Sequence, residues 1–565
     1  MKMNGARALL ESLKREGVDL VFGYPGGVVL KLYDEIYKMK FPNILTGHEQ
    51  GAVHAADGYA RASGKVGVVI ATSGPGAANL ITGIATANMD SIPLVCITGQ
   101  VANHAIGKDS FQEVDVYGIT TPITKHNYLV KDVHDLPRVV KEALFIAKTG
   151  RPGPVSIDIA ADVFNTEFDF EYPDAINLRG YSGKNPVAEI AIDEAVKSVE
   201  SCSRPLIFVG GGVTSSETSE DLRKILTRLG CPSTSTLMGL GCIDADTDGF
   251  LGFAGMHGSY GANMAIQACD LLLCIGMRFS DRVTGRVADF APNAKIVHFE
   301  LDPAEVNKNV QADLKVLGDL RQSLPMFRAK LDESSTNYAD KFAAWKSQAV
   351  AKGNEHPFSW QEEDDAIKPG ALISKISSIC DDDTIAVTDV GQHQMWAAQF
   401  FKARKPRQFL TSGGLGTMGF GLPAAMGAKL ACPDKHVVLF TGDGSIMMNI
   451  QELATLADHD IDVKIVIVHN FILGMVGQWQ RLFYNHHYSA SELKCKRDFV
   501  KIAQAMGVRG YRLTKAAELD TELVEIMFSK GAAVIDVYVP EEENVIPMVP
   551  GGKRLDKWCS ANDSR

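Results

Sequence analysis

The sequence predicts an α/β protein of three domains, two of them alike in style and flanking a third of different character. Three observations carry this. At 565 residues the chain is too long for one hydrophobic core. Apolar strand-like runs alternate with helical patterns, as in parallel sheets covered by helices. Two glycine-rich turns that open helices, 72-TSGPGAANL-80 and 411-TSGGLGTMGF-420, lie one in the first block and one in the third.

The opening 1-MKMNGARALLESLKREGVDLVFGYPGG-27 has apolar residues at helical spacing, then a strand running into a turn. It carries neither a signal-peptide core nor transit-peptide character. Strand runs follow at 66-VGVVIAT-72, 93-PLVCITG-99 and 154-PVSIDIA-160, so the first block spans 1–165. The polar stretch 165–186, with 168-FDFEYPD-174, reads as a linker. A second block, 187–325, holds 204-RPLIFVGGGV-213, 271-LLLCIG-276 and 295-KIVHFELD-302. The acidic helical segment 330–369, with 361-QEEDD-365, reads as a second linker, and a third block covers 370–545.

Composition excludes several classes. A hydrophobic share of 45% and a charged share of 22% are ordinary for a soluble globular protein. The net charge of −11 offers no basic surface to nucleic acid or anionic lipid. No run approaches the roughly 18 apolar residues of a membrane span. The ten cysteines are scattered without a CxxC pair, some inside apolar runs such as 271-LLLCIG-276. Buried free thiols predict a reducing cytoplasm.

The stretch richest in chemistry is 440-FTGDGSIMMNIQELATLADHDIDVKIVIVHN-470. A strand ending in Gly-Asp-Gly and running into a helix lets a ligand approach the backbone, attracts phosphate and supplies a carboxylate. Ligands of parallel sheets sit at the carboxyl ends of strands, and Asn470 ends the next strand. Its amide oxygen can therefore face Asp443. Two oxygen ligands beside a phosphate describe a Mg²⁺ site completed by phosphate oxygens and water. Alone, Gly-Asp-Gly is usually only a turn. The helix, the second strand and its terminal asparagine shift the reading to a metal–diphosphate site.

This pattern resembles the thiamine diphosphate motif of pyruvate decarboxylase-like enzymes. Further stretches are similar to the large catalytic subunit of acetohydroxyacid synthase (acetolactate synthase), and the resemblance covers nearly the whole chain. They are 47-GHEQGAVHAADGYARASG-64, 73-SGPGAANL-80, 107-GKDSFQEVD-115, 389-DVGQHQMW-396, 411-TSGGLGTMGFGLPAA-425 and 474-GMVGQWQRLFY-484. Two departures stand out. The family usually has two asparagines where this chain has His469-Asn470, and 471-FIL-473 replaces residues that are commonly polar.

The resemblance implies two similar parallel-sheet domains that bind thiamine diphosphate, flanking a doubly wound FAD-binding middle domain. It implies Mg²⁺ held by Asp443, Asn470 and the main-chain carbonyl of Ile472. It assigns Gln392, His393, Gly416, Gly444, Ser445, Gly474 and Met475 to the diphosphate cofactor. Met418 becomes the wedge that bends it, and Glu49 the partner of its pyrimidine nitrogen. Phe111, Gln112 and Lys125 line the active site, Arg282 meets the carboxylate of the second substrate, and Trp479 sets the acceptor preference. FAD is implied at Arg151, Gly210, Gly211, Gly212, Leu237, Met238, Met256, His257, Gly258, Arg278, Asp302 and Asp319.

The implied reaction decarboxylates pyruvate and ligates the remaining two carbons to a second 2-oxo acid, pyruvate or 2-oxobutyrate, for branched-chain amino-acid synthesis. Implied partners are a second copy in a homodimer or tetramer and a small regulatory subunit. Two rivals stay open. One is another thiamine diphosphate enzyme: a decarboxylase, a pyruvate oxidase or a catabolic acetolactate synthase. The other is a non-catalytic homologue that acts as a binding partner.

Overall fold

The computed structural model describes residues 1–559 except Lys184, Asp364 and Cys495. Three parallel sheets of six strands organise it. The first runs Asn43–Leu45, Val21–Gly23, Gly67–Ala71, Leu94–Gln100, Val155–Ala160, His126–Val130 across its width. The third runs Phe409–Leu410, Ile385–Thr388, Val437–Gly442, Lys464–His469, Ala533–Tyr538, Arg509–Leu513. Numbered within each domain, both orders read 2-1-3-4-6-5, so the likeness read from two glycine-rich turns extends to the whole topology. The middle sheet runs Phe250–Phe253, Ser233–Ser235, Pro205–Val209, Leu271–Ile275, Lys295–Glu300, Leu314–Leu317, the doubly wound order 3-2-1-4-5-6.

The strands are near-continuous Val, Ile and Leu runs because both faces are covered by helices. The first and third domains also share one apolar cluster, from Val53 and Val69 through Phe420 to Leu439 and Ile465. Its centre is the helix Glu49–Ser63 laid on the helix Gly421–Ala431. A Cβ at Gly58 would run into the Ala424 carbonyl, and one at Gly427 into that of Ala55. Both positions must therefore be glycine for the backbones to touch.

Both segments read as linkers are built into domains. Glu167–Asp169 pairs antiparallel with Lys2–Asn4, and Phe168 and Phe170 are buried in the first core. Helix Tyr338–Gly353 covers the middle domain: Tyr338 and Phe342 join its core, and the Trp345 indole N–H donates to the Pro205 carbonyl at 2.8 Å. In each case aromatic residues at strand or helix spacing outweigh the surrounding polar ones. Lys184 of the first segment, Asp364 of the second and Cys495 lie outside the described residues. Of the other cysteines, Cys96, Cys202, Cys231, Cys242, Cys269 and Cys274 are buried thiols outside any disulfide. Among the described residues no helix is long and apolar enough to cross a membrane.

Candidate active site

Strands Val437–Gly442 and Lys464–His469 pair in register up to Gly442 and Val468, so Asp443 and Asn470 leave the same carboxyl edge side by side. Asp443 is buried, and its Oδ2 accepts the Phe471 N–H at 3.1 Å. Burial pushes its carboxyl up to about 6, against the pull of His469 and of the backbone N–H groups. Asn470 donates through Nδ2 to Gln392 Oε1 at 3.1 Å, and its own Oδ1 lies 3.4 Å from the Ile472 N–H. Helix Gly474–Phe483 starts immediately after, and a Cβ at Gly474 would collide with Gln392 Oε1. Met475, in its first turn, is partly buried against the core of the third domain.

Gln392 and His393 open helix Gln392–Phe400 at the end of the neighbouring strand. Gln392 Nε2 donates to Gln478 Oε1 at 2.9 Å and to the Glu543 carbonyl at 2.7 Å. The His393 ring lies against Gly391 and Gly442, its buried Nε2 has no partner, and burial pushes its pKa down to about 3. Ser445 Oγ donates to the Val390 carbonyl at 3.0 Å, and Gly444 lies against Leu473. Gly416 takes a φ of +71° in the turn that carries half-buried Met418. That turn is anchored where the Gly419 N–H donates to buried Asp389 at 2.8 Å.

One expectation differs. Gly-Asp-Gly does not open a helix directly: a single 3₁₀ turn, Ile446–Met448, follows, and the α-helix begins only at Glu452. Asn449 interrupts it, because its side chain donates to the Gly419 carbonyl at 2.7 Å and draws the chain toward the 411–420 turn. A turn, not a helix dipole, therefore borders Asp443.

In the first domain Glu49 opens its helix and is 9% exposed. Its Oε2 accepts Asn79 Nδ2 at 3.0 Å, and Gly76 lies against its other oxygen. The backbone of Gln112, at φ +59°, packs on Gly74 beside them. Phe111 next to it is 89% exposed. Lys125 points elsewhere: its ammonium donates to the Ile146 and Thr149 carbonyls at the end of helix Leu136–Lys148, and burial lowers its pKa to about 8.

The middle domain gathers the remaining expected residues. Gly210 follows strand Pro205–Val209 and caps the short helix Gly211–Ser215, whose Gly212 N–H donates to the Gly276 carbonyl at 2.8 Å. Gly211 faces Met238, in the 3₁₀ turn Leu237–Gly239. The Met256 N–H donates to the Arg282 carbonyl at 2.8 Å. His257, just before Gly258, is buried with Nδ1 unpartnered. Arg278 donates to the Met89 carbonyl of the first domain at 2.5 Å. Arg151 crosses the other way, pairing with Asp302 at 3.4 Å and Glu305 at 2.8 Å. Asp319 caps helix Leu320–Glu333 by accepting the Arg321 N–H at 2.9 Å, which accounts for it structurally.

The Arg282 guanidinium is exposed and pairs with Asp281 at 3.5 Å. Trp479 packs edge-on to Phe483 and approaches Gly551 of the C-terminal segment. That segment begins with the Val545 N–H on Gln478 Oε1 at 2.8 Å and reaches the Arg282 loop, where the Arg286 N–H meets the Lys553 carbonyl at 2.9 Å. It thus links the helix of Trp479 to the loop of Arg282. Asn79 and Gln478 were passed over in the sequence reading, although each sits inside a quoted motif. Their signal was a lone amide at the end of a glycine-rich run and another beside a tryptophan.

The comparisons agree with this architecture. Residues 3–119 match the N-terminal TPP binding domain of thiamine pyrophosphate enzymes, 192–327 their central domain and 389–537 their C-terminal TPP binding domain. Fold and site thus define a thiamine diphosphate enzyme. The chain is 47% identical to the acetolactate synthase large subunit of Parasynechococcus marenigrum, covering 98% of itself and 90% of that relative. It is 44% identical to the isozyme 2 large subunit of Escherichia coli (97% and 98% covered) and 43% to the chloroplastic acetolactate synthase 1 of Nicotiana tabacum (99% and 85%). The chain belongs to the acetolactate synthase large-subunit family.

Proposed function

We propose that this protein decarboxylates pyruvate and ligates the two-carbon unit to a second 2-oxo acid, giving 2-acetolactate or 2-aceto-2-hydroxybutyrate. The observation that carries it is the pairing of Asp443 and Asn470 at adjacent strand ends, beside the Gln392–His393 helix start. The donors fit Mg²⁺: a buried carboxylate, an amide oxygen and the Ile472 carbonyl are hard oxygens, with remaining positions for phosphate and water. The unpartnered His393 Nε2 suits a diphosphate beside it, and Gly474 lets the Gln392 and Asn470 side chains pack close to the start of the next helix. Bound thiamine diphosphate supplies the carbon nucleophile and the electron sink.

The protein's own residues do the rest. Glu49 would face the pyrimidine nitrogen as the acid–base group, and Asn79 Nδ2 fixes its carboxyl by donating to Oε2. Met418 would support thiamine diphosphate from the 411–420 turn, and Gly416, Gly444, Ser445 and Met475 would help hold it. Arg282 receives the carboxylate of the acceptor acid as a planar two-pronged donor. Trp479 walls the acceptor pocket. Phe111 and Gln112 complete it from the first domain of a second copy, a reading supported by the exposure of so large an apolar ring. FAD is proposed for the middle domain on the support of the glycine run after Pro205–Val209, the buried unpartnered His257 nitrogen and Arg278 at the contact with the first domain. A small regulatory subunit is a further proposed partner, suggested by the relatives' designation as large subunits.

Purified protein with Mg²⁺, thiamine diphosphate and FAD, given pyruvate with and without 2-oxobutyrate, tests the reading. Condensation products are expected. Acetaldehyde or acetyl phosphate as the sole product points to another thiamine enzyme. Cofactor binding without turnover points to a binding partner.

A further inference from the structure

The residue before Asn470 has no part in the function above, yet its side chain is fully buried. His469 ends its strand fully buried between two carboxylates. Its Nδ1 is hydrogen-bonded to Asp536 Oδ1 at 2.7 Å on one neighbouring strand, and its Nε2 faces Asp443 Oδ2 at the end of the other, 3.5 Å away and without a hydrogen bond. Asp536 is anchored in turn by Arg512 Nε at 3.1 Å, and Arg512 also pairs with Asp498 at 2.8 Å. Aromatic rings keep the imidazole from turning away: Phe471 at 4.2 Å between centroids, Tyr538 at 4.9 Å and Phe499 at 5.3 Å. Phe471 holds this position at a φ of +62°, a backbone region in which large side chains are strained.

These contacts share one consequence. Asp443 Oδ2 accepts the Phe471 N–H and faces the His469 ring, which leaves Oδ1 as the oxygen outside both contacts. We propose that His469 is a positioning residue for Asp443, the middle member of an Asp536–His469–Asp443 line that fixes which carboxylate oxygen meets the cation. The inference rests on the Mg²⁺–diphosphate reading of Asp443. Outer partners of this kind orient a ligand without touching the metal, and their loss typically weakens metal affinity about 10- to 100-fold.

The test is Mg²⁺-dependent binding of thiamine diphosphate to the full-length protein, followed by near-ultraviolet circular dichroism without turnover. His469→Leu keeps the volume and removes both nitrogens. His469→Gln keeps a donor close to the Nε2 position. The half-saturating Mg²⁺ concentration is expected to rise about 10-fold or more in the Leu variant and to stay within about 3-fold of wild type in the Gln variant. Cofactor affinity at saturating Mg²⁺ should move little in either. Unchanged Mg²⁺ half-saturation in a folded Leu variant overturns the proposal, and so does equal weakening in both variants alongside equal losses of melting temperature. Should the Leu variant not fold, Asp536→Asn carries the test by loosening the far end of the ring, and an unaltered Mg²⁺ dependence there overturns the proposal too. Wild type and Asp443→Ala serve as controls. If these two bind alike, the metal reading itself has failed; if only Asp443→Ala loses binding while His469→Leu keeps it, the fault lies with His469 alone.

Discussion

Two domains with the same strand order treat their functional edge differently. At the carboxyl edge of the third sheet, Asp443, Asn470, Gln392 and Gln478 are buried and bonded to one another or to main chain. On the first domain Glu49 and Asn79 hold each other, but Phe111 stands 89% exposed. One half is built in advance, and the other leaves a large apolar ring open to solvent. Positioning a cation and a diphosphate needs groups locked before binding, since loose ligands forfeit affinity to ordering. The proposed role of Phe111 in a second copy's site needs a surface that stays open until that copy arrives.

Removing the locked half gives the largest effect. Asp443→Ala should abolish Mg²⁺-dependent binding of thiamine diphosphate, because it deletes the one anionic protein donor of the proposed set. The fold should survive, since burial already disfavours that carboxylate at neutral pH. Titration of binding against Mg²⁺ and cofactor checks this, and unchanged half-saturation for both would leave residues 442–444 as a plain turn.

Glu49→Gln addresses the other half and should leave cofactor binding close to wild type. Condensation should fall by about 10²- to 10⁴-fold, the usual worth of a placed acid or base, because an amide has no acidic proton to hold at the pyrimidine nitrogen. Product formation under saturating cofactor decides it. Near-normal turnover would reduce Glu49 to a helix-end charge held by Asn79.

What the sequence disclosed follows the same division. Strands were legible because apolar runs mark doubly covered parallel sheet, and Asp443 and Asn470 because both end such runs. The 3₁₀ turn after Gly444 was not, since it depends on Asn449 reaching Gly419 some thirty residues away in the chain. Nor was the placement of Phe168, Phe170 and Tyr338, whose polar neighbours hid their burial. Gln392 was assigned to the cofactor through the resemblance alone, since a His-Gln pair in a loop says little by itself. Its bonds to Asn470, Gln478 and the Glu543 carbonyl join three separated segments, and no local pattern encodes that.

A smaller effect is expected where the third domain meets the C-terminal segment. Trp479 is only half-buried, so Trp479→Leu should change selection more than rate. 2-Oxobutyrate exceeds pyruvate by one methylene, worth about 1–3 kcal/mol against an apolar wall, or roughly 10- to 200-fold. Competition between the two acids should show the ratio of 2-aceto-2-hydroxybutyrate to 2-acetolactate falling in the variant. A constant ratio makes Trp479 a packing residue against Phe483.

The smallest effect separates a functional buried aspartate from a structural one. Asp158, on strand Val155–Ala160 of the first sheet, is as buried as Asp443, and burial pushes its carboxyl up to about 7. Its partners are the Thr98 hydroxyl at 2.7 Å and Gln100 Nε2 at 2.9 Å, both neutral donors that only partly offset desolvation. The folded protein therefore binds a proton that the unfolded chain, with an ordinary aspartate near 3.8, has already released. Stability is lost as pH rises from about 4 to about 7, and the penalty is complete above that. Asp158→Asn keeps one acceptor and removes the charge. Its melting temperature relative to wild type should improve from pH 5 to pH 8, by about 1–3 °C in a chain of this size. Mg²⁺ and cofactor should leave that difference unchanged, whereas they should stabilise wild type against Asp443→Ala. A melting difference that is flat with pH would mean that Asp158 is ionised and adequately bonded in the fold, and that burial alone does not set its proton.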